Sequence, residues 1–184
     1  MNRLLATLLA ALLASCATAP TPLRVAPATE TAHAQIAVTA HPLASRAALA
    51  ILDKGGSPID AAIAAQMVLG LVEPQSSGLG GGTLVMNWDA GKRKLASYDG
   101  LAAAPAIVTA SSRTDTDGKL LEAEASRRGG RTVGVPGTVA VLAMAHERHG
   151  KLAWRDLLQP AIDLAERGFP MPRYLHGILS QPGS

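Results

Sequence analysis

Aromatic residues are scarce. One phenylalanine, two tryptophans and two tyrosines make up 3% of a chain of 184 residues that is 48% hydrophobic. Any core is therefore built from Ala, Leu, Val and Ile, and side chains this small suit closely packed helices and sheets. A single cysteine, Cys16, rules out a disulfide within one chain. Neither sign of charge dominates: 17 basic residues face 14 acidic ones, and Arg3 lies in a segment that reads as an export signal. That balance is too weak to argue for a nucleic-acid partner. The basic groups Lys92, Arg93 and Lys94, and Arg127, Arg128 and Arg131, read as solvated turns. No G-x-S-x-G elbow occurs, so a serine hydrolase has no nucleophile signature. No internal repeat is apparent.

Long apolar runs are also missing, and the longest has a purpose of its own. MNRLLATLLAALLASC, residues 1–16, carries one Arg and then about a dozen apolar residues, too few to span a bilayer and suited to a signal-peptide core. It closes on Leu13-Ala14-Ser15-Cys16, which resembles the bacterial lipobox, where the signal is cut before a cysteine that receives lipid. Several acyl chains on Cys16 would supply the stable anchoring that one chain cannot. Residues 17–34 are rich in Pro, Ala and Thr with little to bury, and read as a flexible tether. The folded part, 35–184, follows.

Within it, 35–39 alternates enough to predict a short strand, and LASRAALAILDKGG predicts a helix stopped by Gly55 and Gly56. SPIDAAIAAQMVLGLVEP begins with Ser57 as N-cap, Pro58 at the first helical position and Asp60 closing a capping box. Its apolar positions are so broadly spread that the helix should be buried on most sides, ending before Pro74. TLVMNW and KLASYD, joined by DAGK, predict a hairpin. Residues 110–130 are polar and turn-rich, a loop with a short helix. Helices follow over 138–149, closed by Gly150, and over LAWRDLLQPAIDLAERG, stopped by Gly168, with a kink or break expected at Pro160.

Between the second helix and the hairpin stands SSGLGGG. A phosphate-cradling glycine loop follows a strand and opens a helix, so that free N–H groups point at the anion. The order here is helix, glycines, strand, with no lysine behind the glycines, so the expected role is close approach of two backbones.

ASRAALAILDKGGSPIDAAIAAQMVLGLVEPQSSGLGGGTLVMNW is similar to the opening of the γ-glutamyltranspeptidases (glutathione hydrolases), including the G-G-x-x-x-D-A-A run and the S-G-x-G-G-G loop. VGVPGTVAVLAMAHERHGKLAWRDLLQPAIDLAERGF resembles that family's second landmark, a V-P-G turn that starts a helix, followed by P-A-I-x-L-A-E-x-G-F. The resemblance covers roughly residues 36–172. It implies an α/β (α+β) fold, the αββα sandwich of the N-terminal-nucleophile hydrolases, with only its N-terminal portion present.

It also implies a precursor that cuts itself and frees a threonine as the first residue of a small subunit. That threonine's hydroxyl, with its own α-amine as base, attacks a γ-glutamyl amide, and water or an amine then takes the acyl group. No cofactor or metal is implied. The partners implied are the small subunit and a γ-glutamyl small molecule, with membrane contact through the lipid and no nucleic acid. The chain matches the first part of the large subunit, so the nucleophile is expected beyond Ser184 and no catalytic residue is assigned here. Location is expected on the periplasmic or cell-surface side.

One departure from the family pattern stands out. Where relatives carry D-G-R-E-T-A-P or a variant, with the Arg holding the substrate α-carboxylate, this chain reads Asp99-Gly100-Leu101-Ala102-Ala103-Ala104-Pro105. Leu101 occupies the arginine position and cannot form a charge-assisted pair worth about 1.5 to 3 kcal/mol. Arg93 and Arg113 are the cations considered as replacements. The run His146-Glu147-Arg148-His149 departs from H-E-x-x-H by one residue and reads as a solvated helix face rather than a metal site. His41, before Pro42, reads as a turn residue rather than a base.

Overall fold

The computed structural model describes residues 34–123, 126 and 130–181. The signal, the tether up to residue 33, Cys16, Arg127 and Arg128 lie outside the described residues. Helix α1, Pro42–Asp53, opens on His41, whose Nδ1 accepts the Leu43 N–H at 3.2 Å, so this histidine is an N-cap. The helix closes as the paired glycines predict. Gly55, at φ 85°, donates to Leu52 O and Gly56 to Ile51 O, the two bonds of a Schellman ending.

Helix α2, Pro58–Val72, has the expected capping box: Ser57 Oγ accepts the Asp60 N–H at 3.1 Å and Asp60 Oδ2 accepts the Ser57 N–H at 2.8 Å. It lies against α1, against α3, Thr138–His149, and against α4, Trp154–Arg167. Being surrounded, it buries Ile59, Ile63, Val68 and Val72 as well as Ala61, Ala64 and Ala65, leaving Ala62 exposed. Ile51 of α1 and Leu157 of α4 complete the fully buried aliphatic set. A short helix α5, Arg173–Leu179, follows.

Strands β1, Thr83–Asp89, and β2, Lys94–Gly100, form an antiparallel hairpin in register from Thr83↔Gly100 to Asp89↔Lys94. Asp89 fixes the turn: its Oδ1 accepts the Lys92 N–H at 3.0 Å, and this bond holds the carboxyl below the ordinary Asp range. Val85 and Tyr98 face α3 and the core, whereas Leu84, Met86, Trp88 and Leu95 are 51 to 71% exposed on the opposite face. The turn-rich region holds a 3-10 turn, Ala110–Arg113, and a bridge between Thr114 and Leu120.

One expectation fails. Residues 35–39 form no strand, because among the described residues no strand lies beside them. Their side chains bind α1 instead, Gln35 to Asp53 and Thr39 to the His41 carbonyl. The alternation is realised with small Ala37 packed inward and Ile36 and Val38 exposed. At Pro160 α4 continues without a break. Leu157, Leu158, Ala161 and Leu164 on both sides of the proline pack on the core, and this burial outweighs the lost hydrogen bond.

Asp60 also ties distant chain together. Besides the cap, its Oδ2 accepts the N–H groups of Lys151 (2.8 Å) and Leu152 (3.1 Å), so a fully buried carboxylate holds the α3–α4 connection against the start of α2. His146 closes the corner. Its Nε2 lies 2.8 Å from the Leu152 carbonyl and 3.6 Å from Asp60 Oδ1, with Trp154 edge-on.

Candidate functional site

Three glycines from separated parts of the sequence meet at one end of the hairpin. A methyl built on Gly82 would lie 2.6 Å from the Leu101 Cα and 2.7 Å from the Ala102 nitrogen. One on Gly100 would strike Val141 of α3, and one on Gly137 would strike the Gly100 carbonyl, each closer than any real side-chain carbon approaches. The glycine loop is fastened to this junction by hydrogen bonds. Gly81 O accepts the N–H of Gly137 (3.0 Å) and of Thr138 (3.3 Å), satisfying two donors that the start of α3 would otherwise leave unpaired. Thr83 Oγ1 donates to Thr138 Oγ1 at 3.1 Å, and Thr138 is fully buried.

The S-G-L-G-G-G, D-G-L and V-P-G segments are thus one structural unit. Close approach, expected of the whole glycine run, is realised at Gly82 alone. Gly78, Gly80 and Gly81 have nothing within 4 Å of a built methyl. Two of the N–H groups at the start of α3, those of Gly137 and Thr138, are bonded to Gly81 O.

Leu101 leaves this junction at the rim, 59% exposed, its N–H bonded to Asp99 Oδ1 at 2.9 Å. Arg93 lies far from Leu101. It sits in the hairpin turn at φ 50°, beyond the Asp89↔Lys94 pair, about 20 Å along the ladder from Thr83↔Gly100. Arg113 is closer to the segment that follows Leu101. With Arg131 it lines a hollow over Ala102, Ala103 and Ala104, held by the bridge between Ala103 and Val135. Arg131 Nη1 donates to Thr114 O at 3.4 Å. Leu101 itself is not in the wall of that hollow.

The solvated-face expectation for the run His146-Glu147-Arg148-His149 holds only for Glu147 and Arg148, which are exposed. His146 is bound into the Asp60 corner. His149 Nε2 lies 2.7 Å from the Tyr98 hydroxyl, ring edge to face, and Arg148 covers Tyr98 at 5.5 Å. Both histidines therefore join elements and serve packing. Helical periodicity does not show this, since both rings reach sideways to chain that is far away in sequence.

Sequence reasoning missed two features of the site. The packing roles of Gly100 and Gly137 were hidden because a glycine's neighbours cannot be read from its own segment. Gln75, just before the glycine loop, gave no signal at all. Its Oε1 is buried and unpartnered, while its Nε2 donates to Glu73.

The helices packed about α2, the hairpin and the glycine junction define one part of an N-terminal-nucleophile hydrolase sandwich. The family model described as gamma-glutamyltranspeptidase matches residues 44–183, and the chain belongs to that family. It is 39% identical over 142 residues to a glutathione hydrolase proenzyme of Bacillus subtilis (strain 168), covering 77% of this chain and 24% of that protein. It is 43% identical over 127 residues to scoloptoxin SSD14 of Scolopendra dehaani, covering 69% of this chain and 21% of that one. Among solved structures, the γ-glutamyltranspeptidase of Helicobacter pylori superposes with a TM-score of 0.76 at 30% identity, over 82% of this chain and 43% of that chain. The chain thus spans about a quarter of the length of the curated relatives it matches.

Proposed function

We propose that this chain is the N-terminal part of the large subunit of an enzyme that hydrolyses or transfers the γ-glutamyl group of glutathione-type amides. The observation that carries the reading is the junction of Gly82, Gly100 and Gly137. It joins two segments by which the chain resembles its family, the glycine loop and the V-P-G turn, to the Asp99-Gly100-Leu101 segment by which it departs, with Leu101 at the rim. The nucleophile is a threonine at the start of a small subunit cut from the same precursor, beyond Ser184. Its hydroxyl attacks the γ-carbonyl while its α-amine takes the proton and passes it to the donor's nitrogen, which leaves as an amine; water or an acceptor amine then attacks the acyl-threonine ester and frees the hydroxyl.

This chain contributes scaffold and one wall of the donor site. Leu101 offers hydrocarbon where a cation would bind the α-carboxylate, so donor recognition rests on other groups. The exposed face of Leu84, Met86, Trp88 and Leu95 suits coverage by a further layer to which the small subunit contributes. The protein is exported and held by lipid on Cys16, with residues 17–34 as tether and 35–184 as the folded part, on the periplasmic or cell-surface side. No helix among the described residues is long and apolar enough to cross a membrane.

The test is intact-mass spectrometry and a chromogenic γ-glutamyl anilide assay on the protein purified from its native membrane fraction. A second chain beginning with threonine, together with anilide cleavage, supports the reading. A single uncut chain without cleavage would show a lipoprotein that keeps the scaffold for binding or structure, as Leu101 permits.

A further inference from the structure

The end of the hairpin away from the junction is basic. Lys92 in its turn, Arg148 in the last turn of α3 and Lys151 in the α3–α4 connection line one hollow of about 490 Å³, although the first is far from the others in sequence. Arg93 and Lys94 follow Lys92, both exposed. The carboxylate in the same wall, Asp89, lies 3.4 Å from Lys92 Nζ and offsets a single charge. Among the described residues of the wall, three cations thus face one carboxylate. Glu147, next to Arg148, is exposed but is not in that wall. The fold holds these cations together. Buried Asp60 accepts the Lys151 N–H, Asp89 accepts the Lys92 N–H, and the Arg148 guanidinium lies 5.5 Å from the Tyr98 ring centroid. Like charges fixed side by side repel, and an anionic partner removes that repulsion.

Position selects the partner. The turn lies about 20 Å along the ladder from Thr83↔Gly100, so a surface met by these cations leaves the Leu101 end facing away from it and open to solutes. Lys92, with 80% of its side chain exposed, and Lys151 carry point charges on long stems, which suit a plane of phosphates better than one enclosed ligand. A flexible tether over residues 17–34 spans about 20 to 25 Å, so a folded part held by Cys16 stays within reach of the bilayer. We infer that the turn end of the hairpin, with Arg148 and Lys151, docks on anionic phospholipid headgroups. The inference rests on the proposed export and tether for its setting, and adds to them an orientation of the site end away from the membrane.

The experiment uses the whole mature protein prepared without its signal and Cys16, so that no acyl chain contributes. It is mixed with vesicles of phosphatidylcholine alone or of phosphatidylcholine and phosphatidylglycerol in equal parts. Partition is read by co-sedimentation for the wild type, for Lys92→Gln with Lys151→Gln, and for Lys119→Gln with Arg173→Gln, which removes the same charge outside the hollow. The bonds to Asp89 and Asp60 come from the backbone of Lys92 and Lys151, so the first pair keeps them. The wild type should bind the phosphatidylglycerol vesicles, leave the neutral ones, and come off as salt rises. At about fivefold per cation, the first pair should lose about 25-fold in partition and the second pair little. Equal binding to both vesicles, or equal loss in both pairs, overturns the inference. An unchanged partition in the first pair also overturns it, showing that another part of the protein covers these cations. Partition is read without turnover and without lipid on Cys16. A protein that cleaves nothing or carries no anchor would therefore count against the proposed function and still support the docking surface, and a failed partition would leave the proposed activity standing.

Discussion

Gly137→Ala is the sharpest probe of the junction. At the N-cap of α3 this residue has φ −110° and ψ −14°, values that any amino acid adopts, so the substitution adds a methyl without backbone strain. The methyl would overlap the Gly100 carbonyl and approach Leu101 O to 3.0 Å, and both obstacles are backbone that no rotamer change can clear. Overpacking of this kind costs about 1 to 3 kcal/mol. Shifting α3 away would also weaken the bonds from Gly137 and Thr138 to Gly81 O, each worth about 0.5 to 1.5 kcal/mol. The total is about 2 to 6 kcal/mol, or roughly 5 to 20 °C in Tm for a domain of this size. Gly80→Ala is the control, with nothing within 4 Å of its methyl and no positive φ. It should be neutral or stabilising by up to about 1 kcal/mol, since alanine restricts the unfolded chain more than glycine does. Thermal unfolding of the two variants beside the wild type decides. Equal destabilisation by Gly80→Ala and Gly137→Ala would refute the reading of Gly137 as a packing residue.

Asp60→Ala strips the partner from three backbone N–H groups at once and should destabilise by about 3 kcal/mol or more, seen as a lowered urea midpoint; an unchanged midpoint would mean the corner is redundant. Ser57→Ala removes one cap bond of α2 and should cost about 0.5 to 2 kcal/mol in the same assay. Cys16→Ser should release or mislocalise the protein, and mass spectrometry of mature protein with an unmodified Cys16 would count against the anchor. Residues 17–184 alone, with Leu84, Met86, Trp88 and Leu95 uncovered, should bind an apolar dye and aggregate, whereas a cooperative transition in a soluble monomer would show that no further layer is needed.

Local chemistry was legible where a few adjacent residues decide the outcome. Ser57, Pro58 and Asp60 mark the start of α2, Gly55 and Gly56 the end of α1, and the alternation around DAGK the hairpin. What remained hidden depends on chain far away in sequence. Asp60 reads as a capping residue, yet it also bonds Lys151 and Leu152, some ninety positions on. Gly150 reads as a helix stop, but its φ is −66°, and glycine is required there because the His146 ring lies over it. Pro160 reads as a kink or break because propensity counts a lost bond and not the core-facing side chains on either side of it, and α4 runs on past it as one helix. At the candidate site, the oddity of Leu101 was visible in sequence. The remoteness of Arg93 needed the hairpin register, and the unpaired oxygen of Gln75 needed the fold.

The most direct measurement is the ratio of kcat/KM for a γ-glutamyl anilide to that for the analogue lacking the α-carboxylate, in the mature wild type and in Leu101→Arg. With Leu101 at the rim of the junction, the wild type should cleave both and discriminate little between them, and Leu101→Arg should raise the ratio by about ten- to a hundredfold, the range of one charge-assisted pair. A wild type that already prefers the carboxylate strongly, with a ratio unmoved by the substitution, would show that another residue holds that group and would contradict the role assigned to Leu101.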